Sequence, residues 1–208
     1  TNASDYLNSK TLYPDDLYFH KDGQMAGVIG TAPIAGYESS LWLHQGVPCE
    51  GTAPSTAIVP DNTTIGGLRQ ADPGGGRQKW LTALEAVVSH NTSDSTSTGT
   101  LILYDRLLQI GGLSGTNTGA QTVQSSGTPA LTRYTNGLGN EIWLEISTQI
   151  GATGTTVTAS YTNENGDTHT TQAVSFGATN FREKARIIRL PLAAGDLGVK
   201  ALASVTVL

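Results

Sequence analysis

Gly99-Thr100-Leu101-Ile102-Leu103-Tyr104-Asp105-Arg106-Leu107-Leu108-Gln109-Ile110-Gly111-Gly112 carries apolar residues on both of its strand faces. Leu101, Leu103, Asp105, Leu107 and Gln109 alternate with Ile102, Tyr104, Arg106, Leu108 and Ile110. Two apolar faces imply cover on two sides, so the stretch reads as the central strand of a sheet. Gly99 opens it and Gly111-Gly112 closes it. Leu, Gln and Arg also favour helix, but strand patterns of similar length recur on both sides. Asp105 and Arg106 point to opposite faces of a strand, so each needs a partner from elsewhere if buried.

Downstream, Leu113–Thr128 is polar and reads as loop, and Asn136-Gly137 marks a turn. Glu141–Ser147 alternates, with Ile142, Leu144 and Ile146 inward and Glu141, Trp143 and Glu145 outward. Thr155–Thr162 follows as a strand. Glu164-Asn165-Gly166-Asp167 is a hairpin signal, because Asn-Gly tolerates the positive φ of tight turns. Thr168–Phe176, Lys184–Leu190 and Val199–Leu208 complete the series. Seven or eight strands separated by such turns predict a mainly β fold, an antiparallel β-sandwich or jelly roll with little helix.

Upstream, Arg77–His90 is read as a strand in preference to a helix, joined by Asn91–Thr98 to the Gly99–Gly112 strand as a long hairpin. Asp72-Pro73-Gly74-Gly75-Gly76 is the strongest break in the chain. It divides residues 1–75, an N-terminal arm and Pro/Gly-rich connector, from residues 76–208, the β domain. Pro48, Pro54 and Pro60 make the connector extended, and Tyr37–His44 is a short strand before it. Residues 1–30 have no sustained period, yet hold Tyr6, Leu7, Leu12, Tyr13, Leu17, Tyr18 and Phe19. Disordered tails rarely carry so many aromatics, so an ordered arm is expected, lying on this chain or on a neighbour.

The 208 residues carry a net charge of -5, and only 14% are Asp, Glu, Lys or Arg. Soluble domains average roughly 25%. An acidic chain disfavours nucleic acid, while a surface with few charges suits protein–protein contact. Cys49 is the only cysteine, which excludes an intrachain disulfide and a cysteine-based zinc site. No apolar run approaches the roughly 20 residues that span a bilayer, and the N-terminus lacks a signal-peptide pattern.

Candidate chemistry is sparse. His20, His44, His90 and His169 are far apart and form no ligand motif. Ser is too plentiful for any Ser-His-Asp match to inform, and no nucleophile elbow occurs. Gly74-Gly75-Gly76-Arg77 lacks the ending of a phosphate loop and reads as a hinge. Glu141 and Glu145 flank Trp143 on one strand face, as in a sugar-binding strip or a glycosidase pair, although the exposed face of a strand explains them as well. Arg182, Lys184, Arg186 and Arg189 form a basic cluster suited to the arm carboxylates Asp15, Asp16 and Asp22 of another subunit. No catalytic, cofactor-binding or metal residue is assigned, and no enzyme activity is expected.

Gly99–Leu107 with Gly112–Thr116, and Arg189–Lys200 with the strand that follows, resemble virion proteins of tailed bacteriophages. Ala130–Gly137 and Glu141–Ile146 match the same spacing. The resemblance covers about the C-terminal half of the chain, and its motifs are not catalytic. It implies a structural protein of a phage particle, of the capsid decoration or minor head type. The implied partners are the major capsid protein or other virion proteins, with no membrane and no nucleic acid. Assembly would take place in the host cytoplasm. A homo-oligomer held partly by the arm is expected, of a number the sequence does not fix. The alternative is a carbohydrate-binding β-sandwich module on a tail fibre or in a secreted protein, with Trp143 at its centre.

Overall fold

The structure, a computed structural model, describes residues 20–21, 38–47, 49–68, 100–125, 127–177 and 182–208. Among these the regular structure is all strand: β1 His20–Lys21, β2 Gly46–Val47, β3 Gln121–Thr122, β4 Ile142–Glu145, β5 Thr155–Asn163, β6 Thr168–Thr170, β7 Val174–Phe176, β8 Ile187–Leu190 and β9 Val199–Val207. Every pairing is antiparallel. The protein is mainly β, as its alternation and turn residues require.

β5 and β9 form the centre. β5 lies between β9 on one side and β6 and β7 on the other, while β3 extends the sheet beyond β9. Along β5 the core takes Val157, Ala159, Tyr161 and Asn163, and Thr and Ser occupy the positions between. β9 opposes these four with Val207, Val205, Leu202 and Val199. That spacing is not two throughout, because Ala203 and Lys200 are extra residues at register shifts. Each such bulge resets the phase, so that apolar side chains keep returning to the core. The carbonyl of the bulged Ala203 then accepts from the Val123 N–H at 2.8 Å, bringing β3 alongside.

β4 and β8 form a separate ribbon, with Ile142 opposite Leu190 and Leu144 opposite Ile188. Ile142, Ile146, Ile188 and Leu190 join the core cluster of Val157, Tyr161 and Val205, with Leu144 packed against it. The inward set Ile142, Leu144 and Ile146 is therefore as expected. The expected hairpin is present too: Gly166 sits at φ +99° and donates to the Asn163 carbonyl at 3.1 Å.

Over its described residues, 100–112, the Gly99–Gly112 stretch is not a central strand. Among the described residues, Gln109 exchanges backbone hydrogen bonds with Ile58, the Gly111 N–H donates to the Pro54 carbonyl at 2.6 Å, and Leu101 to Asp105 are exposed. The centre belongs instead to β5 and β9, whose Thr- and Ser-interleaved pattern is less apolar but matches a sheet with one face on the core. Over its described residues, 38–44, the expected Tyr37–His44 strand is likewise absent. Ser39 makes an isolated bridge to Arg186, then the Ser40 hydroxyl accepts the Trp42 N–H at 3.1 Å and turns the chain.

Thr168–Phe176 breaks into β6 and β7. Thr171 takes over the ladder there, its N–H donating to the Ala159 carbonyl and its hydroxyl accepting the Ala159 N–H, both at 2.9 Å. The Leu113–Thr128 loop contains the short strand β3. Strand Arg77–His90, the boundary at residues 75 and 76, and the arm apart from β1 lie outside the described residues. No helix among the described residues is long and apolar enough to cross a membrane.

Candidate interaction surface

Leu101, Ile102, Leu103 and Tyr104 are 44%, 59%, 56% and 50% exposed, a consecutive run of large apolar side chains facing solvent. Single exposed leucines are ordinary, whereas four in a row make a candidate contact surface. The run is anchored at its C-terminal end. The Tyr104 hydroxyl lies 3.0 Å from the Ser40 hydroxyl and accepts from Arg106 Nη2 at 2.9 Å. Asp105 accepts two bonds from Arg133, both 2.8 Å, and Arg106 Nη1 donates to Glu145 Oε2 at 2.8 Å. Asp105 and Arg106 thus take separate partners.

Arg106 is the hub of this anchor. Its guanidinium lies 4.3 Å from the centroid of Trp42, which is buried, and 5.7 Å from that of Tyr104. A guanidinium over an indole adds about 1–2 kcal/mol once water is excluded. The ion pair with Glu145 is single rather than forked, since Arg106 Nε and Glu145 Oε1 are buried without a hydrogen-bond partner. The Glu145 carboxylate and the neighbouring Tyr104 raise the Arg106 pKa despite the opposing desolvation. Trp42 is seated by glycines: a Cβ on Gly51 would overlap the indole, and Gly66 at φ +108° would meet it at 2.9 Å. Nothing in the spacing of Trp42 and Arg106 announces this stack, which arises from a turn and a loop meeting in space.

The Glu141–Trp143–Glu145 strip is not a pair of free carboxylates. Glu145 is engaged by Arg106, and Glu141 accepts from Arg189 at 2.7 Å and from the Trp143 indole at 3.1 Å. Trp143 remains 39% exposed, opposite Arg189 across the ribbon. The basic cluster is engaged within the chain as well. Arg186 is buried beside Glu183 at 3.2 Å, Lys184 reaches Glu50 at 3.5 Å, and Arg182 donates to the Ile150 carbonyl at 3.4 Å. Asp15, Asp16 and Asp22 lie outside the described residues.

A second polar centre, which no motif announces, joins Tyr161, Asn163, His169 and Asp196. The Asp196 side chain is 6% exposed and accepts from the Tyr161 hydroxyl at 2.5 Å, from Asn163 Nδ2 at 2.9 Å and from His169 Nδ1 at 2.7 Å. These bonds, Tyr161 first, hold its pKa down at about 2. Burial, then the bond to Asp196, pushes Tyr161 up to about 12. The same carboxylate raises the His169 pKa. Next to this centre, Glu164 at the hairpin tip accepts the N–H groups of Leu197 and Gly198, both at 3.1 Å. The centre fastens the β5–β6 hairpin to the turn before β9. His44 is buried elsewhere, and no group of three or more His, Cys, Asp or Glu among the described residues is placed to hold a metal.

No family model, curated protein or solved structure matches the chain.

Proposed function

We propose that the chain is a non-enzymatic structural protein of a tailed-bacteriophage particle, a capsid decoration or minor head protein that binds the shell. The observation that carries this reading is the anchored apolar run Leu101–Tyr104, which falls within a segment that resembles phage virion proteins. A structural protein needs a rigid surface whose contact residues are already desolvation-tolerant, and the ion pairs around this run leave its rim nearly neutral. The two sheets over one core are read as a β-sandwich, a usual platform for such surfaces. The arm expected from Tyr6–Phe19 would add a second contact to a neighbouring subunit. Purified particles of the encoding phage test the reading directly: the chain should be present, and particles made without it should bind the recombinant protein.

A glycan-binding module is the second reading, and Trp143 favours it. Its indole is exposed and oriented by Glu141, the arrangement on which a sugar ring can stack. A glycan array with wild type and Trp143→Ala separates the two readings. Binding lost in the variant supports the glycan module, and no binding to any glycan removes it.

A further inference from the structure

We infer that Leu101–Tyr104 pairs edge to edge, antiparallel, with the same segment of a second copy of this chain. The inference names a partner for the surface used in the proposed function, but its physical basis holds for a protein of any function. No backbone hydrogen bond joins Leu101–Asp105 to another described residue. Among the described residues, then, its backbone donors and acceptors have no partner and its apolar side chains are exposed, which is what an added strand satisfies. It is also held at its C-terminal end. Tyr104, Asp105 and Arg106 are tied to Ser40, Arg133 and Glu145, so the C-terminal end of the segment is ordered before pairing.

A second copy is favoured over another partner by self-complementarity. A two-fold axis between Ile102 and Leu103 sets Ile102 opposite Leu103 and Leu101 opposite Tyr104, apolar against apolar in every case. Thr100 then faces Asp105, whose carboxylate is already neutralised by Arg133, and Arg106 faces Gly99. No like charges meet. A net charge of -5 also disfavours an anionic lipid surface as the occupant. Four side chains cover less than the roughly 800 Å² per partner of a standard interface, so the association is weak and depends on concentration.

Light scattering on the full chain, over a micromolar to millimolar series, should show growth in mass. Leu103→Asp should weaken the association by about tenfold or more, the equivalent of one buried leucine. Leu103 is exposed in the single chain, so the substitution does not threaten the fold. Register is read with Ile102→Cys and Leu103→Cys chains, both also carrying Cys49→Ser. Mixed together, they should form a disulfide-linked heterodimer faster than either forms a homodimer. A wild type monomeric throughout the series overturns the inference, whether residues 77–90 of the same chain or a shell protein cover the segment. Association unaffected by Leu103→Asp, or no preference for the mixed disulfide, overturns it equally. Because this test uses purified chain without particles, its failure leaves the particle reading standing, and the reverse also holds.

Discussion

Arg106 links three parts of the chain that are distant in sequence: the turn at Trp42, the apolar run ending at Tyr104, and Glu145 on β4. Its neighbour Asp105 reaches Arg133 instead. The expectation of separate partners rested on a strand that these residues do not form, and the partners' identities were not legible, because they come from loops with no period to extrapolate. Arg106→Ala should cost about 3 kcal/mol in urea unfolding, since it strands the half-buried Glu145 carboxylate and removes the cation from Trp42. Adding Glu145→Gln should recover part of that loss, and a double-mutant cycle measures the coupling. At Asp196 the test is pH. The folded Asp196 pKa is lowered to about 2, so its stabilisation is complete above the unfolded carboxylate range and is lost as pH falls toward 2. His169 is raised above its ordinary value near 6.5, so its stabilisation is full below that value and disappears as pH rises through the folded pKa. Thermal unfolding should therefore show greatest stability between about pH 4 and pH 6, the window these two shifts define. His169→Ala should remove the decline on the alkaline side and leave the acid limb in place.

Strand β5, its hairpin and strand β9 were legible because alternation and turn chemistry agreed there. Asn165-Gly166 supplies the positive φ that the turn uses. The bulges of β9 were not legible, since two inserted residues leave no mark in composition. Gly99–Gly112 misled for a physical reason: apolar residues on both faces fit a strand covered on two sides, but they fit equally a segment that offers those side chains to another molecule. Over residues 38–44 the Ser40 hydroxyl competed with the ladder and prevailed. Two glycines give a graded test of the elements. Gly166 has open space around its missing Cβ, so Gly166→Ala should cost only the left-handed backbone penalty of about 1–2 kcal/mol. A Cβ on Gly198 would run into the Gly137 carbonyl, which accepts the Val199 N–H at 2.9 Å. Gly198→Ala should therefore destabilise more than Gly166→Ala, as compared by denaturant midpoints.

At the scale of the whole molecule, low charge and internal ion pairing belong together. Arg106, Arg133, Lys184, Arg186 and Arg189 each have a carboxylate within the chain. The basic cluster that looked available for a neighbour's acidic arm is thus largely engaged at home, and the candidate contact surface is apolar. Legibility at this scale was limited for the same reason: charges can be counted in a sequence, but their pairing depends on the fold. An assembling protein with such a surface should co-purify with its assembly and stay there through high salt, because burial of apolar area is not screened. The most direct measurement is quantitative mass spectrometry of gradient-purified particles of the encoding phage, before and after a high-salt wash. A structural role predicts the chain in a fixed ratio to the major capsid protein, unchanged by the wash. A chain abundant in the lysate but absent from the particles would contradict it.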